Sequence, residues 1–309
     1  MPTALVTGAA GFIGSNLAEA LLDRGYRVRG VDNFATGRRS NLEPLSAQED
    51  FSFREADVRD ADAMAEAVDG VDSLFHQAAV ASVPRSVENP LATTDANCTG
   101  TATVLDAARR ADVDTAVVAS SSSVYGASEE LPKVETMPAT PESPYALSKY
   151  FTEELALQCS DFYDIDAVAL RYFNIFGPRQ DPEGQYAAVI PKFISLMLDE
   201  DRPVVFGDGE QSRDFTHVDN AVQANVLAAE GDVTGEAFNV GSGGRVTVNE
   251  LVDALNETLG TDLDPIHDDP RPGDVRHSHA DVSKAAELLG YEPEVGFEEG
   301  LERTVEYYR

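Results

Sequence analysis

One short glycine-rich segment constrains the fold of this chain more than any other feature. The apolar run Thr3–Thr7 has the pattern of a buried strand and leads directly into GAAGFIG at residues 8–14. An amphipathic helix is predicted from about Gly14, with Gly25 as its stop. Glycines at such a junction allow a tight turn and let another group approach the backbone closely. The segment therefore predicts the first strand–turn–helix unit of a doubly wound sheet.

Strands and helices alternate through the first half of the chain. The predicted further strands are Arg27–Asp32, one that opens with Phe51–Phe53, Val71–His76, Thr115–Ser120 and Asp166–Arg171. The predicted further helices are 96–110, 144–163, 188–198, 218–229 and 248–259. Such alternation is typical of the α/β class, here a Rossmann doubly wound parallel sheet with a smaller interleaved C-terminal substrate domain. The predicted division is 1–168, with returning segments at about 214–241 and 272–280, against the remainder of 169–309.

The glycine turn predicts a binding site for the pyrophosphate of a dinucleotide. The helix that follows it presents free N–H groups and a positive dipole end to an anion. Asp32 ends the second strand, where a carboxylate accepts ribose hydroxyls and repels a 2′-phosphate, so NAD is favoured over NADP. Arg38 and Arg39 lie just beyond and could soften that exclusion. Asp57 is placed to contact the adenine, although a solvated loop acid fits the sequence almost equally well.

Tyr145 and Lys149 are four residues apart on a predicted helix and therefore share one face. An ammonium near a phenol lowers the pKa of the phenol and allows it to act as a general base. Four consecutive serines, residues 120–123, follow the fifth strand at the edge where open parallel sheets bind ligands. The alternatives are a surface tyrosine stacked on a lysine stem and an ordinary polar loop.

The charge of the chain is extreme. Its 309 residues include 55 Asp and Glu against 23 Lys and Arg, for a formal net charge of −32. Such a chain is expected to repel nucleic acid and anionic membranes. Only four of the basic residues are lysines, and the acids are spread along the sequence. We interpret this as adaptation to a salt-rich cytoplasm, where molar salt screens self-repulsion. Cys98 and Cys159 predict no disulfide framework, and the histidines and cysteines have no metal-ligand spacing, so no metal is expected.

These residues together resemble the extended short-chain dehydrogenase/reductases, and within them the UDP-sugar 4-epimerases that act on UDP-glucose and UDP-N-acetylglucosamine. The resemblance covers essentially residues 2–309. It is carried by VTGAAGFIG (6–14), HQAA (76–79), SVYG (123–126), SPYALSK (143–149), RYFNIFGP (171–178), YAAVIPK (186–192), RDF (213–215) and RPGDVR (271–276).

The resemblance implies a role for each matching position. The implied catalytic residues are Ser121, Ser123, Tyr145 and Lys149. The implied cofactor-binding residues are Gly8, Gly11, Phe12, Ile13, Gly14, Asp32, Asn33, Gly37, Asp57, Val58, Ala78, Ala79, Asn97, Ser120, Tyr145, Lys149 and Tyr172. The implied substrate-binding residues are Ala81, Ser82, Ser121, Ser123, Asn174, Ala188, Val189, Lys192, Arg213, Arg271, Asp274 and Ser278.

The implied reaction is reversible inversion at C4 of a UDP-hexose through a 4-keto sugar, with NAD as cofactor. The resemblance also implies a homodimer in which the helices near 96–110 and 144–163 form a four-helix bundle. Alternatives remain open. A 4,6-dehydratase carries Thr-Asp-Glu where this chain has Ser121–Ser123, and a UDP-glucuronate decarboxylase keeps the Glu. A UDP-glucuronate 4-epimerase and a non-catalytic NAD-binding sensor are the other two. The small Ser278 predicts room for an N-acetyl group.

Overall fold

The computed structural model describes residues 1–183, 187–270 and 275–309. The strands are β1 (Thr3–Thr7), β2 (Arg27–Asp32), β3 (Phe51–Glu55), β4 (Ser73–His76), β5 (Thr115–Ser121), β6 (Asp166–Tyr172), β7 (Ile175–Phe176), β8 (Val204–Phe206), β9 (Ser212–Arg213), β10 (Thr216–His217), β11 (Glu236–Val240), β12 (Val246–Thr247) and β13 (Ile266–Asp268).

The helices are α1 (Phe12–Asp23), α2 (Glu43–Ser46), α3 (Ala61–Val68), α4 (Val83–Glu88), α5 (Pro90–Thr94), α6 (Gly100–Arg110), α7 (Pro144–Phe162), α8 (Val189–Leu198), α9 (Val218–Glu230), α10 (Val248–Leu259), α11 (Ser283–Leu289) and α12 (Phe297–Tyr308). Short 3-10 turns occupy Arg39–Leu42 and Ser122–Tyr125, and a π-helical turn occupies Asp95–Thr99.

Seven parallel strands form the central sheet in the order β3-β2-β1-β4-β5-β6-β11. The order reverses between β1 and β4, and ligands of open α/β sheets bind at such a switch point, outside the carboxyl ends of the strands. The register of β5 and β6 pairs Ser120 with Arg171 and Ser121 with Tyr172. The predicted Rossmann fold is confirmed.

Apolar side chains cover both faces of the sheet. On one face, Leu17 and Leu21 of α1 pack with residues of α9 and α11 against β1 and β6. On the other face, Met64 of α3 and Val104 of α6 pack with α7 residues against the same sheet. A separate apolar cluster joins α8, α10 and α12 to the short strands that follow Tyr172. Both faces of the sheet are thus fully packed, and its carboxyl edge is left for ligands.

The predicted elements agree with the structure where apolar runs are long. The predicted bounds of β1, β2 and α10 match the observed ones, and α1 begins two residues before Gly14, at Phe12. The helix predicted at 96–110 begins earlier, because α5, the π-helical turn and α6 run on without a break from Pro90. Strands β7–β13 were not predicted. All of them except the five-residue β11 have only two or three residues and are fixed by tertiary contacts. Within the described ranges, no helix combines the length and apolar character needed to cross a bilayer.

We expect the folded chain to be stabilised by salt. The acids exceed the basic residues by 55 − 23 = 32, so many carboxylates have no basic partner. Molar KCl shortens the Debye length to about 3 Å and screens their repulsion. The thermal unfolding midpoint should rise by about 5 °C or more between dilute buffer and molar KCl, measured by circular dichroism. Sucrose at the same osmolality is the control. A midpoint that is independent of KCl would contradict the expectation.

Candidate active site

The turn between β1 and α1 is packed so closely that its glycine positions have no room for a side chain. Gly8 has φ +70°, and a Cβ there would lie 2.7 Å from the backbone nitrogen of Ala78. A Cβ on Gly14 would lie 2.2 Å from the carbonyl oxygen of Gly8. Gly11 precedes α1 without any side-chain cap, so the first N–H groups of the helix are not satisfied by a capping side chain. The turn therefore leaves backbone donors for an anion.

Asp32 ends β2 beside this turn and is almost completely buried, with 8% of its surface exposed. Its carboxylate accepts hydrogen bonds from the backbone N–H of Ala10 (3.0 Å) and of Phe34 (2.7 Å). Burial raises the pKa of Asp32, and these backbone bonds oppose that rise. A Cβ on Gly37 would lie 2.9 Å from both carboxylate oxygens. The missing side chain at residue 37 keeps one approach to the carboxylate open.

The polar residues beyond Asp32 are paired with one another. The amide of Asn33 donates to Asp57 Oδ2 at 2.8 Å. Arg59 donates to the same carboxylate and holds the pKa of Asp57 well below its usual range. Arg38 and Arg39 form ion pairs with Asp181 and Glu55, at 2.7 and 2.8 Å. Both arginines, which were considered as partners for a 2′-phosphate, are therefore engaged by carboxylates.

Two predicted cofactor residues have side chains that are used inside the protein. Asn97 lies on the π-helical turn, accepts from Val80 N at 2.8 Å and donates to Ser148 Oγ at 2.8 Å. Tyr172 donates to Gln77 Oε1 at 3.1 Å and accepts from Asn225 Nδ2 at 2.7 Å. Asn97 is 1% exposed. These side chains hold the loop after β4 in place, and neither has an exposed hydrogen-bonding group ready for a ligand.

His76 at the end of β4 is buried and uncharged. Burial and, to a smaller extent, the positive charge of Lys149 together lower its pKa to about 3. Its Nδ1 is 2.7 Å from Thr7 Oγ1, and its Nε2 is 3.0 Å from Thr101 Oγ1. Thr101 donates its own hydroxyl proton to the carbonyl of Asn97, so Nε2 is the atom of His76 that carries the proton. His76 thus links the ends of β1 and β4 to α6.

Three hydroxyl groups meet at the carboxyl end of β5. Ser121 Oγ accepts from the Ser123 hydroxyl at 2.9 Å and from its backbone N–H at 3.2 Å. The phenol of Tyr145, in the first turn of α7, lies beside the Ser121 side chain. Burial raises the pKa of Tyr145, and the Ser121 side chain opposes that rise. The structure thus brings three of the four predicted catalytic residues into one cluster.

Lys149 lies one helical turn further along α7 and is 4% exposed. Its Nζ donates to the carbonyl of Ala119 at 2.7 Å. Burial lowers its pKa to about 8. Burial of the phenol dominates the pKa of Tyr145 and raises it, and the Lys149 ammonium is hydrogen-bonded to the β5 backbone. The lowering of that pKa by Lys149 stays a prediction. The two groups share a helix face, as their spacing predicted.

A buried carboxylate joins three segments that are distant in sequence. Asp214 follows β9, is fully buried, and accepts five hydrogen bonds. Its Oδ1 accepts from Thr216 Oγ1, Ser242 N and Ser242 Oγ at 3.2, 2.8 and 2.7 Å. Its Oδ2 accepts from Gly243 N and Ala280 N at 3.2 and 3.1 Å. Asp214 therefore ties the chain that follows β11 and the chain that precedes α11 to the segment after β9.

The predicted substrate residues Asn174 and Ser278 lie beside Asp214. Asn174 has φ +35°, and its amide donates to the Asp214 carbonyl at 3.3 Å and to Ser278 Oγ at 3.4 Å. Arg213, on β9, donates to the carbonyl of Ser212 at 2.9 Å. Arg271 and Asp274, predicted to bind the diphosphate and the uridine ribose, lie outside the described residues.

The remaining predicted substrate residues lie on two helix N-termini. Ala188 is the residue before α8, and Val189 opens that helix and packs on the cluster that contains Phe215. Lys192 lies in the first turn of α8, where its backbone N–H bonds to the Ala188 carbonyl. Ser82 caps α4 by accepting from Arg85 N at 3.3 Å, directly after Ala81.

Besides Lys133, sequence reasoning assigned no role to three buried charged residues. Asp214 is one, and the other two are Glu153 on α7 and Arg171 on β6, whose side chains form a bidentate ion pair. Ser120 donates its hydroxyl to Glu153 Oε2 at 2.7 Å, and its contact with the cofactor stays a prediction. A signal was present in the sequence, since Glu153 is four residues after Lys149 and Arg171 interrupts the apolar run of β6. Neither position alone identifies the partner.

The residues around the glycine turn fit a dinucleotide of the NAD type. The uncapped N-terminus of α1 suits a pyrophosphate, and the close glycine packing gives it access to the backbone. Asp32 offers carboxylate oxygens to ribose hydroxyls at the end of β2. These features are properties of the chain itself and satisfy the requirements that the sequence predicted.

Comparison with known proteins places the chain in one family. The NAD dependent epimerase/dehydratase family matches residues 4–241. A UDP-glucose 4-epimerase of Mycolicibacterium smegmatis is 40% identical, over 99% of this chain and 98% of its own length. The UDP-N-acetylglucosamine 4-epimerase of Methanobrevibacter ruminantium, solved with UDP-N-acetylmuramic acid, has TM-score 0.95, 40% identity and coverage of 99% and 97%. The UDP-glucose 4-epimerase of Thermotoga maritima, solved with UDP-glucose, has TM-score 0.94, 40% identity and coverage of 99% and 98%.

Relatives with other activities match at lower identity. A UDP-glucuronate 4-epimerase of Thermodesulfobacterium geofontis is 35% identical, over 98% of this chain and 95% of its own length. A dTDP-glucose 4,6-dehydratase of Streptomyces niveus is 34% identical, over 99% and 92%. The fold is therefore shared among several reactions on nucleotide sugars, and the site residues must distinguish them.

We expect Gly8→Ala to abolish cofactor binding while Gly25→Ala preserves it. Both glycines have positive φ, +70° and +81°, so alanine costs about 1–2 kcal/mol of backbone strain at either position. Only at Gly8 would the added Cβ also collide with the backbone of Ala78, whereas nothing lies within 4 Å at Gly25. Calorimetric titration with NAD checks this. Equal NAD affinity in both variants would show that the close packing at Gly8 is not required.

Proposed function

The chain belongs to the NAD-dependent epimerase/dehydratase family, and from this premise we propose that it is a UDP-hexose 4-epimerase. The observation that carries the proposal is the cluster of Tyr145, Ser121 and Ser123, which contains hydroxyl groups and no carboxylate. Reversible oxidation at C4 needs one group that takes and returns a hydroxyl proton. Elimination of water needs further acid and base groups, for which the Ser121–Ser123 segment provides no carboxylate.

Tyr145 is the proposed general base and acid. Its phenolate would remove the proton of the sugar 4-hydroxyl, and the phenol formed would return that proton when the sugar is reduced on the other face. Ser121 and Ser123 would hold the same oxygen by hydrogen bonds during both steps. NAD, when bound, supplies a reversible hydride acceptor. Lys149, whose pKa is lowered to about 8 by burial, would leave Ala119 and donate to the nicotinamide ribose and toward Tyr145.

The nucleotide half of the substrate is proposed to hold the molecule while the sugar turns over. Arg213 and Arg271 are the proposed diphosphate ligands, and guanidinium groups suit phosphate because they donate two parallel hydrogen bonds. Asp274 is the proposed partner of the uridine ribose, and Ala188 and Val189 the proposed wall beside the uracil. Binding energy from this remote part permits both sugar faces to be presented in turn.

Ser278 is the proposed determinant for the group at C2 of the sugar. Its side chain is small and half-buried, and its Oγ accepts from Asn174. A small residue here supports the proposal that both UDP-glucose and UDP-N-acetylglucosamine are substrates. The two solved relatives named for these two sugars have the same identity to this chain, 40%, so overall similarity does not separate them.

A homodimer is proposed for the assembled enzyme, in a cytoplasmic setting. Five large apolar side chains on α4, α5 and the first half of α7 are exposed: Val83, Val87, Leu91, Leu147 and Phe151. An exposed apolar patch of this kind is typical of a protein–protein interface. The patch supports the four-helix bundle expected from the sequence, with the modification that α4 and α5, rather than α6, supply the exposed apolar residues beside α7. Sedimentation in molar KCl tests the dimer.

The proposed activity is tested by incubating the NAD-loaded protein in molar KCl with UDP-glucose and, separately, with UDP-N-acetylglucosamine. New galacto-configured anomeric proton signals in the NMR spectrum support a 4-epimerase. Turnover of neither sugar by folded protein that binds NAD contradicts the proposal. UDP-glucuronate is included, because turnover of that substrate alone identifies a UDP-glucuronate 4-epimerase.

We expect Tyr145→Phe to lower kcat by about 100- to 10,000-fold, the usual contribution of a positioned acid–base group. The change removes one oxygen and keeps the ring, so the KM for UDP-glucose should stay within about threefold. Initial rates by NMR provide both constants. Tyr150→Phe, on the same helix, is the matched control and should retain full activity. A Tyr145→Phe enzyme with normal kcat would remove Tyr145 from the mechanism.

Ser278→Tyr is expected to exclude the N-acetyl sugar selectively. The larger side chain would occupy the space beside Asn174 that an N-acetyl group needs, so kcat/KM for UDP-N-acetylglucosamine should fall by about 100-fold or more. UDP-glucose serves as the internal control, and its kcat/KM should change by less than about threefold. An equal loss of activity on UDP-N-acetylglucosamine and on UDP-glucose would mean that residue 278 does not discriminate between the C2 substituents.

A further inference from the structure

Three side chains of helix α7 contact residues at the end of β5. Tyr145 lies beside Ser121, Lys149 Nζ donates to the carbonyl of Ala119, and Glu153 accepts from Ser120 Oγ. The three helix residues are spaced by four, so they lie along one face of α7. The strand residues are consecutive. The last of these contacts differs from the others, because it contains a charged group that takes no part in the proposed chemistry.

Glu153 is fully buried and forms a bidentate pair with Arg171, which is 6% exposed. Arg171 Nε lies 2.9 Å from Glu153 Oε2, and Nη2 lies 2.5 Å from Oε1. Ser120 and Arg171 are directly paired in the register of β5 and β6. One carboxylate on α7 therefore joins the helix to two neighbouring strands, immediately before the residues Ser121 and Tyr172.

The arginine is itself held from the other side. Its Nη1 donates to Tyr125 Oη at 2.8 Å, and that hydroxyl donates to Asn239 Oδ1 on β11 at 2.6 Å. Asn239 Nδ2 donates to the carbonyl of Lys133 at 2.8 Å. Each member has partners in fixed directions, so Arg171 cannot move without breaking several hydrogen bonds in a medium where water does not replace them.

We infer that Glu153 and Arg171 are positioning residues that hold Tyr145 within hydrogen-bond reach of Ser121. The inference rests on the proposed function in taking Tyr145 as the proton-transfer group. A buried ion pair is weak support for stability, because apolar residues of similar volume often serve as well. Its planar bidentate geometry, in contrast, fixes the register of α7 on β5 and β6. The Ser121 side chain lowers the pKa of Tyr145, so displacement of Tyr145 from Ser121 raises that pKa.

Glu153→Gln keeps the shape of the side chain and removes the charge from the pair. We expect kcat for UDP-glucose to fall by about 10- to 100-fold, as for other displacements of reacting groups by about 1 Å. The KM should stay within about threefold, since the residues proposed for the uridine diphosphate lie elsewhere. A higher pKa leaves less tyrosinate at a given pH, so the rising limb of the pH–rate profile should move to higher pH. Glu154→Gln, one residue further along α7, is the matched control.

A direct titration of Tyr145 does not depend on the substrate. The chain has 10 tyrosines and no tryptophan, so tyrosinate absorbance can be followed without an indole background. The titration of Tyr145 is the difference between each NAD-loaded protein and its Tyr145→Phe counterpart. We expect Tyr145 to titrate at higher pH in Glu153→Gln than in the wild type or in Glu154→Gln. An unchanged titration overturns the inference. Failure of the wild type on every UDP-hexose would instead overturn the proposed function and leave this titration valid.

The double variant Glu153→Gln/Arg171→Met separates positioning from stability. Replacing both partners leaves no unpaired buried charge, so the thermal midpoint should recover relative to Glu153→Gln. We expect kcat and the Tyr145 titration to stay displaced, because the fixed register is not restored. Recovery of all three measurements would assign the pair a purely structural role. If Glu153→Gln does not fold, Ser120→Ala removes one hydrogen bond of the carboxylate, and its Tyr145 titration should move in the same direction; no movement overturns the inference.

Discussion

The contact of helix α7 with the carboxyl end of β5 is the interaction on which the rest of the candidate site depends. It brings the phenol of Tyr145 to the hydroxyl of Ser121 and places Lys149 against the backbone of Ala119. The sheet itself supplies the other half of the site, because the switch point between β1 and β4 lies at the same edge. The residues proposed for proton transfer and those proposed for cofactor binding therefore lie at one edge of the same sheet, which is packed on both faces.

Charge is distributed very differently inside and outside this molecule. The surface is strongly acidic, and most of its ion pairs join partly exposed side chains, as in Arg39–Glu55 and Arg276–Asp208. Such exposed pairs contribute about 0–1 kcal/mol each. Each buried charged side chain of the described residues has a hydrogen-bond partner, and Asp214 and Glu153 each hold together elements that are distant in sequence. The acidic surface thus affects how the protein is solvated, whereas the buried carboxylates determine the shape of the site.

The sequence predicted the central sheet well, because long apolar runs such as Thr3–Thr7 have few alternative structures. The spacing of Tyr145 and Lys149 predicted a shared helix face, and the structure has it. The direction of the Lys149 ammonium could not be predicted, since its acceptor is a backbone carbonyl on another element. The Glu153–Arg171 pair was missed because neither position alone identifies its partner on another element. Ser120 and Asn97 were expected at the cofactor, but their side chains are hydrogen-bonded inside the protein. Short strands such as β9 are fixed only by tertiary contacts.

The central claim is that C4 of a UDP-hexose is oxidised and reduced again at one site served by Tyr145. UDP-glucose that carries deuterium at C4 tests it most directly, with the NAD-loaded enzyme in ordinary water. The account predicts UDP-galactose that retains deuterium at C4, because hydride leaves and returns at the same carbon without exchange with solvent. Deuterium found at C6 together with loss of water would identify a 4,6-dehydratase. Hydrogen from solvent at C4 would contradict hydride transfer, and with it the proposed mechanism.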